Sequence, residues 1–216
     1  PGDHFVASFI PSCGRCRYCA QGRTNLCNLG AHLQNGPMPD GTYRMHYDGQ
    51  DLHQFLLIST FSQYAVVSEN SLVKIPNDVP LETVCLLGCG VGTGLGSAIN
   101  AAEVRPGDNV LVLGAGGVGM SAVQGAALAG AATVIVVDPV EFKREMATTL
   151  GATHTYSNIA EATGFVRSIS DGQGAESAIL CMGQPTNTDV ANAFDAIAKG
   201  GTVVVTGMAA NSEPAA

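Results

Sequence analysis

From Asn109 onward the chain alternates short runs of β-branched and aliphatic residues with longer stretches rich in small residues. Five runs have the length of buried strands: Asn109 to Leu113, Thr133 to Val137, Thr153 to Tyr156, Ser177 to Met182 and Thr202 to Thr206. Between them, helices are expected at Met120 to Ala129, Val140 to Leu150 and Thr188 to Lys199, stopped by Gly130, Gly151 and Gly200-Gly201. This alternation predicts an α/β fold built on a doubly wound parallel sheet.

The preceding part reads differently. Up to about residue 75, short β segments are expected at His4 to Ile10, Phe55 to Ser59 and Gln63 to Val67, around a Cys, Gly and Arg stretch and a polar loop from Asn28 to Gln54. Pro-Gly-Asp stands directly before an apolar run twice, at Pro1-Gly2-Asp3 and Pro106-Gly107-Asp108, as a turn should. The change of texture falls between Cys85 and Thr93, which predicts one domain over residues 1–90 and a second over 91–212.

Composition narrows the class. The 216 residues are 46% hydrophobic and 13% charged, enough to bury the core of one large or two small domains and too apolar for disorder. A net charge of −8 repels both a phosphate backbone and anionic lipid, which argues against nucleic acid and membrane partners. The most apolar stretch, Ala126 to Val137, is shorter than the about 20 residues a bilayer span needs. Seven cysteines without even spacing or a signal peptide favour metal binding or buried thiols over a secreted disulfide framework, and a cytoplasmic location is expected. The chain opens on Pro1 without a Met and is expected to be an internal fragment.

The run Gly114-Ala115-Gly116-Gly117-Val118-Gly119 follows a predicted strand and opens a predicted helix, the context in which G-x-G-x-x-G binds a dinucleotide. Gly114 permits the tight turn, Gly116 lets the backbone approach a pyrophosphate, and Gly119 lets helix and strand pack closely. The helix N-terminus presents unpaired N–H groups and partial positive charge to the phosphates. Asp138, 19 residues after Gly119 at the end of the next strand, is placed to accept the ribose hydroxyls. A 2′-phosphate would be repelled there, and Lys143 and Arg144 come five and six residues later, so NAD is favoured over NADP. The alternative is a glycine-rich turn in a non-binding α/β domain with a solvated Asp138.

Cys13, Cys16, Cys19 and Cys27 bring four thiols within fifteen residues. Four sulfurs close a tetrahedral zinc site with no open position, a structural arrangement, and Arg15, Arg17 and Arg23 offset the charge of four thiolates. An iron–sulfur cluster competes because ferredoxins also begin with C-x2-C-x2-C, although their fourth cysteine follows after three residues and precedes proline. Here it follows after seven and precedes Asn28. Plain buried thiols are the third reading. Cys89, flanked by Gly88 and Gly90, is a candidate metal ligand at the expected cleft between domains, while Cys85 and Cys181 read as small buried hydrophobes.

Together these residues resemble the zinc-containing alcohol dehydrogenases of the medium-chain dehydrogenase/reductase superfamily. The resemblance is carried by Pro1-Gly2-Asp3, the cysteine lobe ending Asn25-Leu26-Cys27, the segment Thr60 to Val67, Val84 to Gly90, Thr93-Gly94, and Gly114 to Asp138 in that order. Arg44-Met45-His46, the loop around Gly49-Gln50-Asp51, and Val137 to Glu145 look most like the actinobacterial NDMA-dependent members, whose NAD is held tightly and reoxidised in place. The resemblance implies a Rossmann NAD-binding domain with five of six strands present, preceded by part of a β-rich GroES-like catalytic domain that carries a structural zinc lobe at residues 13–27. It also implies that Cys89 is the third ligand of a catalytic zinc. Thr93 and Val118 would pack around the nicotinamide, Gly114, Gly116, Gly117 and Gly119 would form the pyrophosphate turn, Asp138 and Lys143 would contact the adenosine ribose, and the Met208 backbone would line the nicotinamide edge.

The family's remaining catalytic zinc ligands, a Cys and a His, have no counterpart in this sequence and are expected to lie before its start, so the chain alone is expected to be inactive. His4, His32, His46, His53 and His154 show no ligand spacing to Cys89 or to one another and read as loop or surface histidines. For the complete enzyme the resemblance implies hydride transfer from an alcohol to NAD, a small-molecule alcohol or aldehyde substrate in the cleft between domains, and a homo-oligomer. A thiol-dependent formaldehyde dehydrogenase, a non-catalytic NAD- and zinc-binding module, and an iron–sulfur electron carrier are the alternatives.

Overall fold

The computed structural model describes residues 1–33 and 36–207. The chain divides into two compact units, Pro1–Cys89 and Gly90–Ala216.

In the first unit, β1 (His4–Ala7) pairs antiparallel with β4 (Leu72–Ile75), with Phe5 opposite Lys74. Between them lie one helical turn, α1 (Arg17–Ala20), and a hairpin of β2 (Met45–Tyr47) and β3 (Gln50–Leu52). Asp48 and Gly49 close the hairpin with φ of 48° and 72°, the positive values that a two-residue hairpin turn takes. A short helix, α2 (Leu81–Val84), leads toward the second unit.

The structure corrects the strand expectations in this unit, and it places the hairpin of β2 and β3 inside the stretch expected to be a polar loop. The strand from His4 stops at Ala7 rather than Ile10, since Ser8 turns the chain by donating its hydroxyl to the Ile10 carbonyl at 3.0 Å. Phe55 to Ser59 is not a strand but a single 3₁₀ turn, Phe55–Leu57, in which Leu56 and Leu57 take φ of 53° and 63°. Such backbone cannot continue a pleat. Gln63 to Val67 is also not a strand, because the buried Gln54 amide donates to the carbonyls of Leu57 and Val66 at 3.3 and 2.7 Å and satisfies them in place of a ladder.

The second unit opens on α3 (Gly90–Gly96), which continues as a π-helical turn at Ser97–Ala101. Then follow β5 (Asn109–Leu113), α4 (Gly117–Leu128), β6 (Thr133–Val137), α5 (Glu141–Thr149), β7 (His154–Tyr156), α6 (Ile159–Ile169), β8 (Ala175–Leu180), α7 (Asn187–Ala196) and β9 (Ile197–Val205). The five strands form one parallel sheet in the order β7-β6-β5-β8-β9, so strand order reverses beside β5. Alternate residues of β5 serve the two faces. Val110 and Val112 pack with Ala122, Val123 and Ala126 of α4, and Leu111 and Leu113 pack with Val166 of α6 and Ala193 of α7. With both faces covered, the central strands need no polar side, which is why they read as unbroken aliphatic runs.

Gly130 and Gly151 end their helices with φ of 88° and 114°, as the glycine stops predict. The helix expected to reach Lys199 instead ends at Ala196, and residues 197–200 join β9 across an irregularity opposite Ala175 and Ser177. A Cβ on Gly174 would overlap the Ala196 carbonyl, so glycine there leaves room for the chain to turn from α7 into β9. The strand expected to end at Met182 ends at Leu180. Helix α6 had no counterpart among the expected helices. Asn158 caps it by accepting the Glu161 N–H at 3.0 Å, and Ala162 and Val166, four apart, are its buried stripe.

Candidate cofactor cleft and metal centre

The four cysteines of the first unit are brought together by local structure alone. Cys16 caps α1, its Sγ accepting the N–H of Cys19 at 3.5 Å, while Cys13 Sγ accepts the N–H of Cys16 and Cys27 Sγ that of Cys13, both at 3.4 Å. All four sulfurs lie within 4.8 Å of one another, and Cys13 and Cys19 are 4.0 Å apart. Tetrahedral zinc with bonds near 2.3 Å places its sulfurs about 3.8 Å apart, so the cluster fits the ion with little adjustment. The N–H groups of Cys19 and Asn28 pull the Cys16 thiol down to about 6, as befits a ligand thiolate, whereas burial pushes Cys27 up to about 11. Arg15, Arg17 and Arg23 are exposed around the lobe.

In the second unit the turn after β5 has the geometry that a dinucleotide needs. Gly114 takes φ of 94° and donates its N–H to the Val137 carbonyl at 2.8 Å, and a Cβ there would stand 2.9 Å from the Met182 nitrogen. A Cβ on Gly119 would overlap the Gly114 carbonyl, so only glycine lets α4 sit this close to the turn. Gly116 and Gly117 are different: a Cβ on either meets no atom within 4 Å. Their openness leaves room for a ligand against bare backbone. Gly116 is the N-cap of α4 and offers no side chain to its first N–H groups, which are left for an anion.

Gly114, Gly116, Asp138 and Lys143 line one cleft of ≈ 440 Å³ together with Pro139 and Met182. Asp138 is 4% exposed. Its Oδ2 accepts the Ala115 N–H and its Oδ1 the Val140 N–H, both at 2.9 Å, and Lys143 Nζ stands 3.7 Å from Oδ2. Arg144 pins the same turn from outside by donating to the carbonyls of Asp138 and Pro139 at 2.8 and 3.0 Å. Open glycine backbone at one end and a held carboxylate at the other fit a dinucleotide. Sequence reading did not single out Ile159, Met182, Gly183 and Asp189, which also line the cleft. Their signal was positional, since all follow the C-terminal ends of parallel strands or the crossovers between them.

The other expected site residues lie elsewhere. Thr93 stands on α3, and the next residue, Gly94, packs against the first turns of α4 so closely that a Cβ would overlap the Val118 carbonyl. Neither Thr93 nor Val118 lines the cleft described above. Met208 lies outside the described residues. Cys89 follows a 3₁₀ turn at Cys85–Gly88 and is exposed. Among the described residues the four-cysteine lobe is the only group of three or more ligating side chains, and Cys89 and the histidines are not part of it. Cys85 is a correction: it is exposed rather than buried, because the turn faces it outward with its Sγ toward the Glu82 carbonyl at 3.2 Å. Cys181 is mostly buried, and burial pushes its thiol up to about 12, which keeps it a neutral space-filler.

Comparison with known proteins agrees with this geometry. Residues 1–77 match the alcohol dehydrogenase GroES-like domain, and residues 117–216 match the zinc-binding dehydrogenase domain. An NDMA-dependent alcohol dehydrogenase of Amycolatopsis methanolica is 53% identical over 209 residues, covering 97% of this chain and 56% of the relative. Alcohol dehydrogenase B of Mycobacterium tuberculosis is 48% identical over 207 residues, covering 95% and 55%. The chain thus spans little more than half the length of these curated relatives. A crystal structure of an alcohol dehydrogenase zinc-binding domain protein from Burkholderia ambifaria superposes with a TM-score of 0.85 at 37% identity, over 99% of this chain and 58% of that one. Two family domains are thus matched in order, with a metal-ready cysteine lobe in the first and a dinucleotide turn in the second, so the chain carries the alcohol dehydrogenase GroES-like domain and the zinc-binding dehydrogenase domain and is similar along nearly its whole length to zinc-containing alcohol dehydrogenases.

Proposed function

We propose that this chain supplies the structural zinc lobe and the NAD site of an alcohol dehydrogenase that passes a hydride from an alcohol to NAD and releases an aldehyde or ketone. The observation that carries this reading is the shared cleft: glycine backbone open to a pyrophosphate at Gly116 and a held carboxylate at Asp138. NAD, when bound, supplies the hydride acceptor. The chain's own residues bind and orient it. The first N–H groups of α4 take the pyrophosphate charge, Asp138 accepts ribose hydroxyls through its remaining lone pairs, and Lys143 stands at the same edge. A 2′-phosphate would meet the Asp138 charge, so NAD is preferred to NADP.

Cys13, Cys16, Cys19 and Cys27 would hold a structural zinc that cross-links the lobe. A catalytic zinc does not fit the described residues, since Cys89 stands without a second or third ligand, and no step of the reaction is assigned through it. On the same reading the substrate is a small alcohol, NAD is retained and reoxidised in place, and the working assembly is a cytoplasmic homo-oligomer without nucleic acid or membrane partners. The net charge of −8 supports the last point, and among the described residues no single helix is long and apolar enough to cross a membrane.

Calorimetric titration with NAD and NADP, on chain first stripped of any retained nucleotide, tests the proposal. NAD is expected to bind and NADP to bind at least about tenfold more weakly, a difference of about 1.4 kcal/mol. Equal affinity for both, or affinity for neither, would remove the basis of the reading.

A further inference from the structure

The π-helical turn at the end of α3 is tied to the far end of the sheet by two hydroxyls. Ser97 Oγ lies 2.8 Å from the Thr93 carbonyl and 2.9 Å from Thr206 Oγ1, a residue 109 positions away that directly follows β9. A carbonyl can only accept, so Ser97 donates to Thr93 and Thr206 donates to Ser97, which gives the pair a fixed direction. Ser97 is 7% exposed, and its side chain takes up the carbonyl four residues back where the helix widens to π geometry. Thr206 is itself fixed, its N–H reaching the Leu180 carbonyl at the end of β8 at 3.0 Å.

The position of this pair gives it a role. In a doubly wound sheet a dinucleotide lies outside the C-terminal strand ends and crosses at the point where strand order reverses, here between β5 and β8. The cleft with Asp138 takes the half over β5 and β6, so the second nucleoside must run from Gly116 over the ends of β8 and β9. The Thr93 to Ser97 turn reaches that corner, since it is held at Gly94 against the start of α4 and at Ser97 against Thr206, the residue that follows β9. Resting on the NAD reading above, we infer that Ser97 and Thr206 are positioning residues for the nicotinamide end of the cofactor: they hold the Thr93 turn in place, while the adenosine end is held independently of them.

The test compares NAD with ADP-ribose, which lacks the nicotinamide, by calorimetry on the intact chain. Thr206→Val keeps the shape and removes the hydroxyl. It is expected to weaken NAD binding by about tenfold, the scale of one lost buried hydrogen bond, and to leave ADP-ribose binding unchanged. Ser97→Ala should do the same, and Thr206→Ser, which restores the O–H, should bind both as the parent does. Equal weakening of both ligands would show a general structural role and overturn the inference, as would unchanged NAD binding in Thr206→Val. If the parent chain binds neither ligand, the underlying NAD reading fails, and that result is distinct from either of the others.

Discussion

Asp138 accepts the backbone N–H of Ala115 at 2.9 Å, so the acid at the end of β6 also braces the glycine turn at the end of β5. Two replacements separate these tasks. Asp138→Ala leaves the Ala115 N–H buried without a partner and is expected to lower stability by about 1–3 kcal/mol, read by urea denaturation. Asp138→Asn keeps one accepting oxygen for Ala115 or Val140 but not for both, and should lose less stability than Asp138→Ala while reducing the preference for NAD over NADP.

The glycines of the turn should divide by what stands where a Cβ would go. Gly119→Ala pushes a methyl into the Gly114 carbonyl and is expected to cost about 1–3 kcal/mol and to abolish NAD binding. Gly117→Ala meets nothing within 4 Å and lies in the first turn of α4, so the fold should gain up to about 1 kcal/mol. Thermal unfolding of the two variants checks the contrast. Similar losses in both would mean that the close approach at Gly119 is not specific.

Elemental analysis should find about one zinc and no iron per chain, because only one closed ligand set exists among the described residues. Cys16→Ser should lose the metal. Zinc binding should weaken as pH falls, since the thiolates must compete with protons. Two zinc ions per chain would require a ligand set that these residues do not form.

Asp40 offers a pH signature away from both sites. The Thr42 hydroxyl, then the Thr42 N–H and the Arg44 guanidinium, hold its carboxyl down to about 2 from the ordinary 3.8. Its folded value lies below the unfolded one, so the stabilisation of this loop is complete above about pH 4 and disappears as pH falls toward 2. An NMR titration should show this, and Thr42→Val should move the Asp40 midpoint upward.

The sequence revealed most where chemistry and backbone geometry demand particular residues. The four thiols, the glycine turn and Asp138 were legible as a candidate site because a metal lobe calls for sulfur, a close turn for bare backbone and a ribose contact for an acid, and β5 and β6 were legible because a sheet covered on both faces excludes polar residues. The first unit was less legible. An apolar run such as Phe55 to Ser59 looks like a strand until two consecutive left-handed residues, Leu56 and Leu57, reverse it, and nothing in their side chains announces that conformation. The end of α7 was misplaced for a related reason. Ile197 to Lys199 has no local signal against helix, and it is sheet pairing beside Gly174 that takes these residues. Cys85 read as buried because its neighbours are apolar, yet a 3₁₀ turn faces it outward.

The cysteine lobe draws every ligand from fifteen consecutive residues and shapes them with hydrogen bonds of its own backbone. During synthesis its closure waits on no distant strand. Once Cys27 has left the ribosome the lobe can take its ion, while the parallel sheet cannot begin to pair until β6 has followed β5, more than a hundred residues later. Metal loading and assembly of the nucleotide site can therefore be separate events in the life of a new chain, the first set by local contacts and the second by pairing of distant strands.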